Sequence, residues 1–449
     1  MPNEKTVPEN PSSPFNPHAA GIDVGATEMY VAVPPGCTDK PVRCFGTFTE
    51  DLIALSEWLK SCGVTSVAME STGVYWIPLF QILEDRGFEV CLVNARHVKN
   101  VPGRKTDVAD CQWLQYLHSV GLLRGSFRPP QQVCAVRSVI RHRDALVKMA
   151  SVHVQHMQKA LNQMNLQLHH VIANIVGVTG LAIIDAILAG ERDTTKLASF
   201  RDCRIKASET TIAKSLVGDY RVEHLFTLRQ SLQTYRHYQG LIADCDQQVK
   251  ALLSEFDSRI DPDQQPLSEN LKRRLKKDPT ATELRVEFHR LTGVDLTAIP
   301  GIQVNTVNTL MAEIGRDVSK FHSSKGFASW LGLCPDNRIS GGRVLSVQTR
   351  AVKNRAATAL RLAALSLYRS QTALGDFFRR MRAKLGTPKA ITATAHKLAR
   401  IIYYLLKTRS PYDQTRFARH EEQYRRRREI NLKNQAKALG FSLVPVGVS

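Results

Sequence analysis

The sequence lacks paired cysteines and long apolar runs. Its 449 residues include nine cysteines, and none of them forms a CxxC pair. This spacing argues against a zinc site and against a disulfide framework, and it favours a reducing compartment. No apolar run approaches the roughly 20 residues of a membrane-spanning helix, and the first residues lack the apolar core of a signal peptide. We therefore expect a cytoplasmic protein with no membrane partner.

Acidic residues are scarce near the C-terminus. The chain has a net charge of +20, and residues 338–449 contain 24 Lys and Arg against 5 Asp and Glu, an excess of +19. Such a basic region predicts a polyanionic partner, most often nucleic acid. A basic membrane-surface helix is the competing interpretation, but no strongly apolar face accompanies the charge.

Composition and periodicity divide the chain into six segments. Residues 1–19 are rich in proline, asparagine and serine, so we expect a disordered arm. Residues 20–128 alternate short apolar runs with amphipathic helical patterns, which predicts an α/β sheet domain. The remaining segments are a helical region over 129–257, a polar linker over 258–290, a mostly α-helical domain over 291–410, and a basic tail, expected to be flexible, over 411–449.

The helical region carries a heptad pattern that predicts a coiled coil. One series of positions is Val133, Ile140, Val147, Val154, Leu161 and Leu168. The second series, offset by three, is Val136, Arg143, Ala150, Met157, Met164 and Val171. Another apolar helix begins near Leu225. The two helices could pair with each other or with another subunit, and the sequence leaves both arrangements open.

Four carboxylates occupy informative places in the α/β domain. Asp23 lies in the first predicted strand, Glu70 ends a later one, and Asp107 and Asp110 share a helix face because they are three residues apart. Crowded carboxylates repel each other unless a cation neutralises them. Magnesium prefers such hard oxygen ligands, and two ions can assist a phosphodiester displacement. One carboxylate alone would more simply be a solvated residue, but the four together predict a Mg²⁺ site.

A second candidate site is the stretch Cys334-Pro-Asp-Asn-Arg-Ile-Ser-Gly-Gly-Arg-Val. Ser340 lies between Arg338 and Arg343 and precedes two glycines, which let a bulky partner approach the backbone. Guanidinium groups suit phosphate, so the serine hydroxyl could attack a phosphodiester. An ordinary Gly-Gly turn is the simpler local interpretation. We also expect Lys353 and Arg355 to contact nucleic acid.

Several motifs in a fixed order resemble a known family. They are Met69-Glu-Ser-Thr-Gly-Val-Tyr-Trp, Gly103-Arg-Lys-Thr-Asp-Val-Ala-Asp, Ile299-Pro-Gly-Ile, Phe327-Ala-Ser-Trp-Leu-Gly-Leu-Cys-Pro and Ile339-Ser-Gly-Gly. The chain is similar to the DEDD transposases of bacterial insertion sequences, the one-ten insertion-sequence family. The departures are Arg343 where lysine is frequent, His322 where proline is frequent, and no glycine between Lys353 and Asn354.

The resemblance implies an RNase H-like (RuvC-like) domain in which Asp23, Glu70, Asp107 and Asp110 hold Mg²⁺. It implies that Ser340 is the nucleophile of a recombinase that acts on donor and target DNA. It also implies a structured guide, the bridge RNA, as a partner, and a homo-oligomer in which a dimer assembles to a tetramer. Such a protein would be cytoplasmic and associated with the nucleoid.

Three other functions remain open. A RuvC-like junction endonuclease that uses water would need the carboxylates but not the Ser-Gly-Gly segment. A kinase of the actin and sugar-kinase fold would match Asp23-Val-Gly-Ala-Thr, although a second phosphate loop and an adenosine motif are missing. A catalytically silent nucleic-acid scaffold would not require all four carboxylates.

Overall fold

The structure, a computed structural model, describes residues 15–71, 73–94, 106–267, 279–350 and 352–442. The chain divides into two compact units, residues 1–128 and 129–449. Some expected features lie outside the described residues: most of the N-terminal arm, the Gly103-Arg-Lys part of one motif, and the middle of the linker.

The first unit is built on a mixed five-stranded sheet. Its strands are β1 (Ala19–Val24), β2 (Glu28–Ala32), β3 (Val42–Gly46), β4 (Ser66–Glu70) and β5 (Glu89–Val93). They follow the order β3-β2-β1-β4-β5, in which β1, β2 and β3 are antiparallel neighbours and β1, β4 and β5 are parallel. This arrangement confirms a mixed α/β domain and is consistent with the RNase H-like fold that the resemblance implies.

Among the described residues of this unit, three helices accompany the sheet: α1 (Thr49–Ser61), α2 (Trp76–Asp85) and α3 (Asp107–Ser119). The predicted apolar face of α1 is buried at Leu52, Leu55, Trp58 and Leu59. The central strands β1 and β4 are buried along almost their whole length, as expected for strands covered on both faces. Helical and strand periodicity therefore located these elements correctly.

Residues 15–19, which the sequence predicts to be part of a disordered arm, make specific contacts with the first unit. The backbone N–H of Asn16 donates to the carbonyl of Ser119 at 2.8 Å, and its side-chain amide donates to the carbonyl of His118 at 3.0 Å. The last carbonyls of a helix have no partner within that helix, so these bonds satisfy two of them at the end of α3. Residues 15–19 therefore belong to the folded unit.

His118 is a buried histidine at the end of α3. Its Nε2 lies 2.7 Å from Oγ of Ser66. Burial lowers the pKa of His118 below its ordinary value of 6.5, and the nearby Glu89 carboxylate opposes this shift only in part. In the unfolded chain the imidazole takes up a proton near pH 6.5, whereas in the folded chain it does so only at lower pH.

We expect the folded first unit to lose stability as the pH falls below 6.5 toward the folded pKa of His118. The stabilising contribution of the neutral His118 imidazole is fully present above the pKa that this group has in the unfolded chain. Thermal unfolding at about pH 7.5 and about pH 5.5 measures the loss, which should be smaller in His118→Gln. The exposed His18 provides the control substitution His18→Gln. An equal pH dependence in all three proteins would contradict the assignment.

The second unit begins with two long helices, α4 (Gln131–Gln163) and α9 (Val222–Ser254), which pack antiparallel within the chain. Four short helices lie between them: α5 (Leu168–Val171), α6 (Val178–Leu188), α7 (Thr194–Ser199) and α8 (Glu209–Ser215). These pack with the C-terminal end of α4 and the start of α9 around a separate apolar core. The intrachain arrangement is therefore the one that the described chain adopts.

Arg143, the polar position of the heptad pattern, forms a two-pronged ion pair with Asp246 of α9, at 2.5 and 3.1 Å. The predicted heptad pattern extends beyond the helix, because Met164, Leu168 and Val171 lie past the end of α4. Asn165 has φ of +55°, a left-handed conformation in which a helix cannot continue. Supercoiled packing of the two helices stays a prediction.

The beginning of α4 is tied to the rest of the unit by Glu313. This carboxylate is only 10% exposed and accepts two hydrogen bonds from Arg141, at 3.0 and 2.8 Å. Arg137 donates to the backbone carbonyls of Ala312 and Glu313. Charged hydrogen bonds of this kind are short and directional, so they fix the base of the helix pair.

The remaining elements are mostly helical. They are α10 (Pro279–Thr292), α11 (Val304–Ile314), α12 (Ser324–Trp330), β6 (Arg338–Ser340), β7 (Arg343–Ser346), α13 (Arg355–Ser366), α14 (Ala373–Leu385), α15 (Thr387–Thr408) and α16 (Gln414–Ala438). Short 3₁₀ helices cover Leu296–Ala298 and Leu367–Arg369. No helix in the described part of the chain is long and apolar enough to cross a membrane.

Two predicted irregular segments are helical. The last third of the expected linker belongs to α10, where Arg285 is 2% exposed and pairs with Asp295. The basic tail forms α16 instead of a flexible run. Glu422–Arg426 and Glu429–Lys433 pairs are four residues apart, a spacing that stabilises helices, and arginine, lysine, glutamate and glutamine are good helix formers.

Candidate active site

Three elements bring the predicted carboxylates to one edge of the sheet. Strands β1 and β4 are parallel, with Ile22 beside Met69, so the next residues, Asp23 and Glu70, leave neighbouring strands at the same end. Helix α3 runs in the opposite direction across β1, because Nε2 of Gln115 donates to the carbonyl of Ala19 near the start of that strand. The first turn of α3, which contains the other two carboxylates, therefore lies toward the carboxyl end of β1.

Gly21 permits this close crossing. A Cβ atom at that position would lie 2.2 Å from the backbone nitrogen of Gln115 and 2.4 Å from the carbonyl oxygen of Cys111. Real Cβ atoms do not approach backbone this closely, so any side chain would push α3 away from β1. The glycine therefore sets the distance between the strand that bears Asp23 and the helix that bears Asp110.

We expect Gly21→Ala to destabilise the first unit by about 1–3 kcal/mol, the usual cost of overpacking a core. Denaturant unfolding measures this cost. Gly125→Ala is the matched control, since its Cβ would meet only Sγ of Cys91 at an ordinary 3.5 Å. Equal stability of the two variants would show that α3 moves freely on the sheet.

The buried thiol of Cys111 lies in the electrostatic field of two of these carboxylates. Burial raises its pKa to about 12, with a further contribution from Asp23 and a smaller one from Asp110. Asp23, Glu70 and Asp110 are half-buried, whereas Asp107 is exposed. Thr106 caps α3 by accepting a hydrogen bond from the N–H of Ala109 at 3.2 Å. The positive end of the helix dipole favours carboxylates in this first turn.

The donor chemistry of this edge suits a hard divalent cation, since its predicted ligands are all carboxylate oxygens. Among the residues that the structure describes, however, no group of three or more His, Cys, Asp or Glu side chains is close enough to hold a metal ion. The fold thus brings the carboxylates to a common edge without a closed ligand shell.

Ser340 lies at the end of an exposed β-hairpin formed by β6 and β7, where it pairs with Arg343. Gly341 and Gly342 form the turn with φ of +54° and +75°, and the two positive values are typical of a type I′ hairpin turn. A Cβ at either glycine would have no atom within 4 Å. The predicted Gly-Gly turn is therefore present, and next to it Ser340 is exposed and accessible to a large partner.

The hairpin exposes aliphatic side chains along both strands. Ile339 is 61% exposed, Val344 57% and Leu345 68%. Ile339 and Val344 are cross-strand partners and so share one face of the hairpin, whereas Leu345 points to the other face. Arg343 is also exposed, and Arg338 lies in β6 with its side chain outside the described positions.

The two other predicted nucleic-acid contacts differ in their surroundings. Lys353 is exposed. Arg355 begins α13, and its Nη1 donates to Asp144 of α4 at 3.0 Å. Both partners are more than 40% exposed, so solvent screens this pair and it contributes little to stability. Asn354 caps α13 by accepting from the N–H of Ala357 at 3.0 Å, which gives this residue a structural role.

A cleft that the sequence patterns do not predict is formed by the Leu367–Arg369 turn and helix α14. Its lining residues are Tyr368, Arg369, Gln371, Arg379, Arg382 and Ala383. The sequence does place two of these arginines together, because Arg379 and Arg382 are three residues apart and so share a helix face. Arginine and lysine are frequent throughout this region, so that spacing alone does not distinguish a binding site.

The four carboxylates belong to the first unit and Ser340 to the second. Each predicted set of residues therefore lies within a single unit, and substitutions in the two sets can be tested separately.

Two models of transposase families match the chain. The DEDD transposase model of the IS110 type matches residues 20–166, a range that includes all four carboxylates. The model of the transposase family IS116/IS110/IS902 matches residues 295–379, which include Ser340, Lys353 and Arg355. No curated protein matches the chain significantly.

Proposed function

Because the chain belongs to the IS110 family of DEDD transposases, we propose that it is a recombinase that exchanges DNA strands through a serine nucleophile. Transposases process DNA. The specific reaction that we propose for this chain is RNA-guided, site-specific phosphodiester transfer. The observation that carries it is the exposed position of Ser340 beside a hairpin turn in which a Cβ at either glycine would meet no atom within 4 Å.

In the proposed reaction, Oγ of Ser340 attacks a DNA phosphorus atom. The serine hydroxyl gives up its proton, the new P–Oγ bond forms as the bond to the leaving strand's oxygen breaks, and that oxygen takes up a proton. A hydroxyl of a second strand later attacks the phosphoserine, which restores the serine and seals the new junction. The number of phosphodiester bonds is conserved, so rejoining needs no ATP.

The carboxylate edge would serve this reaction by binding Mg²⁺ through Asp23, Glu70, Asp107 and Asp110. When bound, a divalent cation neutralises charge that develops on the phosphoryl oxygens. Arg338 and Arg343, on either side of the serine, would add positive charge near the same oxygens. Lys353 and Arg355 would bind neighbouring phosphates.

The partners that we propose are donor DNA, target DNA, a structured guide RNA and further copies of the chain. The +19 charge excess of residues 338–449 supports binding to polyanions. The family resemblance supports the guide RNA and a dimer that assembles to a tetramer, with the carboxylates of one subunit meeting the serine of another. A cytoplasmic, nucleoid-associated location agrees with these partners.

A trapping experiment tests the proposal. The purified chain is incubated with Mg²⁺, its copurified RNA and labelled DNA that carries the ends of its own element, and the reaction is stopped with detergent. The expected product is DNA covalently linked to protein, which protease digestion reduces to a peptide containing Ser340. Cleaved DNA without any adduct would contradict a serine nucleophile.

A junction endonuclease that uses water is the second candidate. It is favoured by the placement of all four carboxylates in a unit that does not contain Ser340. Such an enzyme would release 5′ and 3′ ends from a four-way junction and leave no protein on the DNA, so the same gel distinguishes the two reactions.

A further inference from the structure

The cleft between the Leu367–Arg369 turn and α14 has a volume of about 830 Å³. This falls in the range of about 300–1,000 Å³ in which proteins hold small ligands. Most such sites are lined by apolar side chains, whereas this one is lined by three arginines, a glutamine, a tyrosine and an alanine. Its lining therefore suits an anion.

One of the three arginines holds the cleft together. Nη1 of Arg379 donates to the carbonyls of Tyr368 and Ser370, at 3.1 and 2.7 Å, and Nη2 donates to Asp376 at 2.5 Å. These bonds fix the turn against α14. They also occupy Asp376, the acidic residue of α14, so it does not neutralise the other two arginines.

The other two arginines remain available to a ligand. The Arg382 guanidinium lies over the ring of Tyr368, with Cζ 4.6 Å from the ring centre, and Arg369 is exposed. Within the described residues, neither side chain has an acidic partner. A guanidinium held over an aromatic ring still has N–H groups to donate, and its planar fork matches two phosphate oxygens.

We infer that this cleft binds the phosphodiester backbone of an unpaired nucleic-acid strand, with Arg369 and Arg382 on the phosphates. A volume of about 830 Å³ admits one or two nucleotides and not a duplex. Aromatic and arginine side chains in a basic groove are the usual means of holding single strands. The inference rests on the proposed function only in that it takes nucleic acid as the substrate.

Binding measurements test the cleft without any cleavage. All proteins carry Ser340→Ala, and the probes are a fluorescent 20-nucleotide single-stranded DNA of mixed sequence and an RNA of the same sequence. We expect Arg382→Gln to weaken binding about tenfold, because it removes a charged hydrogen bond to phosphate. The slope of log affinity against log salt should fall by about 0.7. Arg221→Gln is the control, since it removes an exposed arginine paired with Asp219 outside the cleft.

Tyr368 provides a second, matched pair of variants. Tyr368→Ala removes the ring that holds the Arg382 guanidinium, so it should weaken binding several-fold. Tyr368→Phe keeps the ring and should bind as the parent does. Thermal unfolding of each variant shows whether a lost affinity reflects a lost fold, and Arg369→Gln, at an exposed position, tests the cleft with the least risk to folding.

Weakened binding of either probe supports the cleft, and the probe that is affected identifies the strand as DNA or RNA. Unchanged affinity of Arg369→Gln and Arg382→Gln for both probes, or an equal loss in Arg221→Gln, would overturn it. The outcome is independent of the serine mechanism, because no step of the measurement breaks a phosphodiester bond.

Discussion

Replacement of Ser340 by alanine is expected to abolish the protein–DNA adduct and to lower strand exchange by about 10⁴-fold or more, as loss of a nucleophile does in other enzymes. Alanine has no oxygen with which to form the P–O bond, so the covalent intermediate cannot form. Denaturing gels with labelled DNA and a recombination assay measure the two effects together.

The substitution should leave the fold intact. Ser340 lies on an exposed hairpin, where surface substitutions usually change stability by less than about 0.5 kcal/mol. Ser346→Ala is the matched control, because it removes a hydroxyl from the other strand of the same hairpin. Exchange at the normal rate in Ser340→Ala would make water or another residue the nucleophile and would favour the junction endonuclease.

Replacement of Asp23 by asparagine is expected to lower metal-dependent DNA cleavage by about 10²–10³-fold, which corresponds to about 3–4 kcal/mol of lost transition-state stabilisation. Asparagine has nearly the same shape but no charge, so the edge should bind divalent cations less tightly. Asp110→Asn should act in the same direction, because its residue lies in the first turn of α3 at the same edge.

Metal binding gives a readout that does not depend on cleavage. Titration with Mn²⁺, followed by calorimetry or magnetic resonance, should show a weaker site in Asp23→Asn than in the parent. Asp39→Asn is the control, since Asp39 is an exposed acidic residue of the same unit. Equal Mn²⁺ affinity in the parent, Asp23→Asn and Asp39→Asn would contradict a metal site at this edge, even if Asp23→Asn lowered activity.

The elements of the first unit were predictable because its helices and strands have strong periodicity. Leu52, Leu55, Trp58 and Leu59 recur on one helical face, and all four are buried in α1. The placement of Asp23 beside Glu70 follows from parallel pairing of two apolar strands. A sequence can indicate such pairing, since buried parallel strands are apolar throughout.

Other features depend on contacts between distant residues. The intrachain pairing of α4 and α9 brings together residues that are far apart in sequence, such as Arg143 and Asp246, 103 positions apart. The close approach of α3 to β1 depends on the space at Gly21, which periodicity does not report. The cleft at Tyr368 depends on hydrogen bonds from Arg379 to two carbonyls, which no spacing rule predicts.

The paired helices α4 and α9 also have a mechanical consequence. Each has 33 residues, so at 1.5 Å per residue the pair extends about 50 Å. The base is fixed through Glu313, while the far end carries its own apolar core. Because of this length, a rotation of the pair by about 10° about its base would displace the far end by about 9 Å. A force applied by a partner at the far end would likewise be transmitted along the helices to the contact between Arg141 and Glu313 of α11.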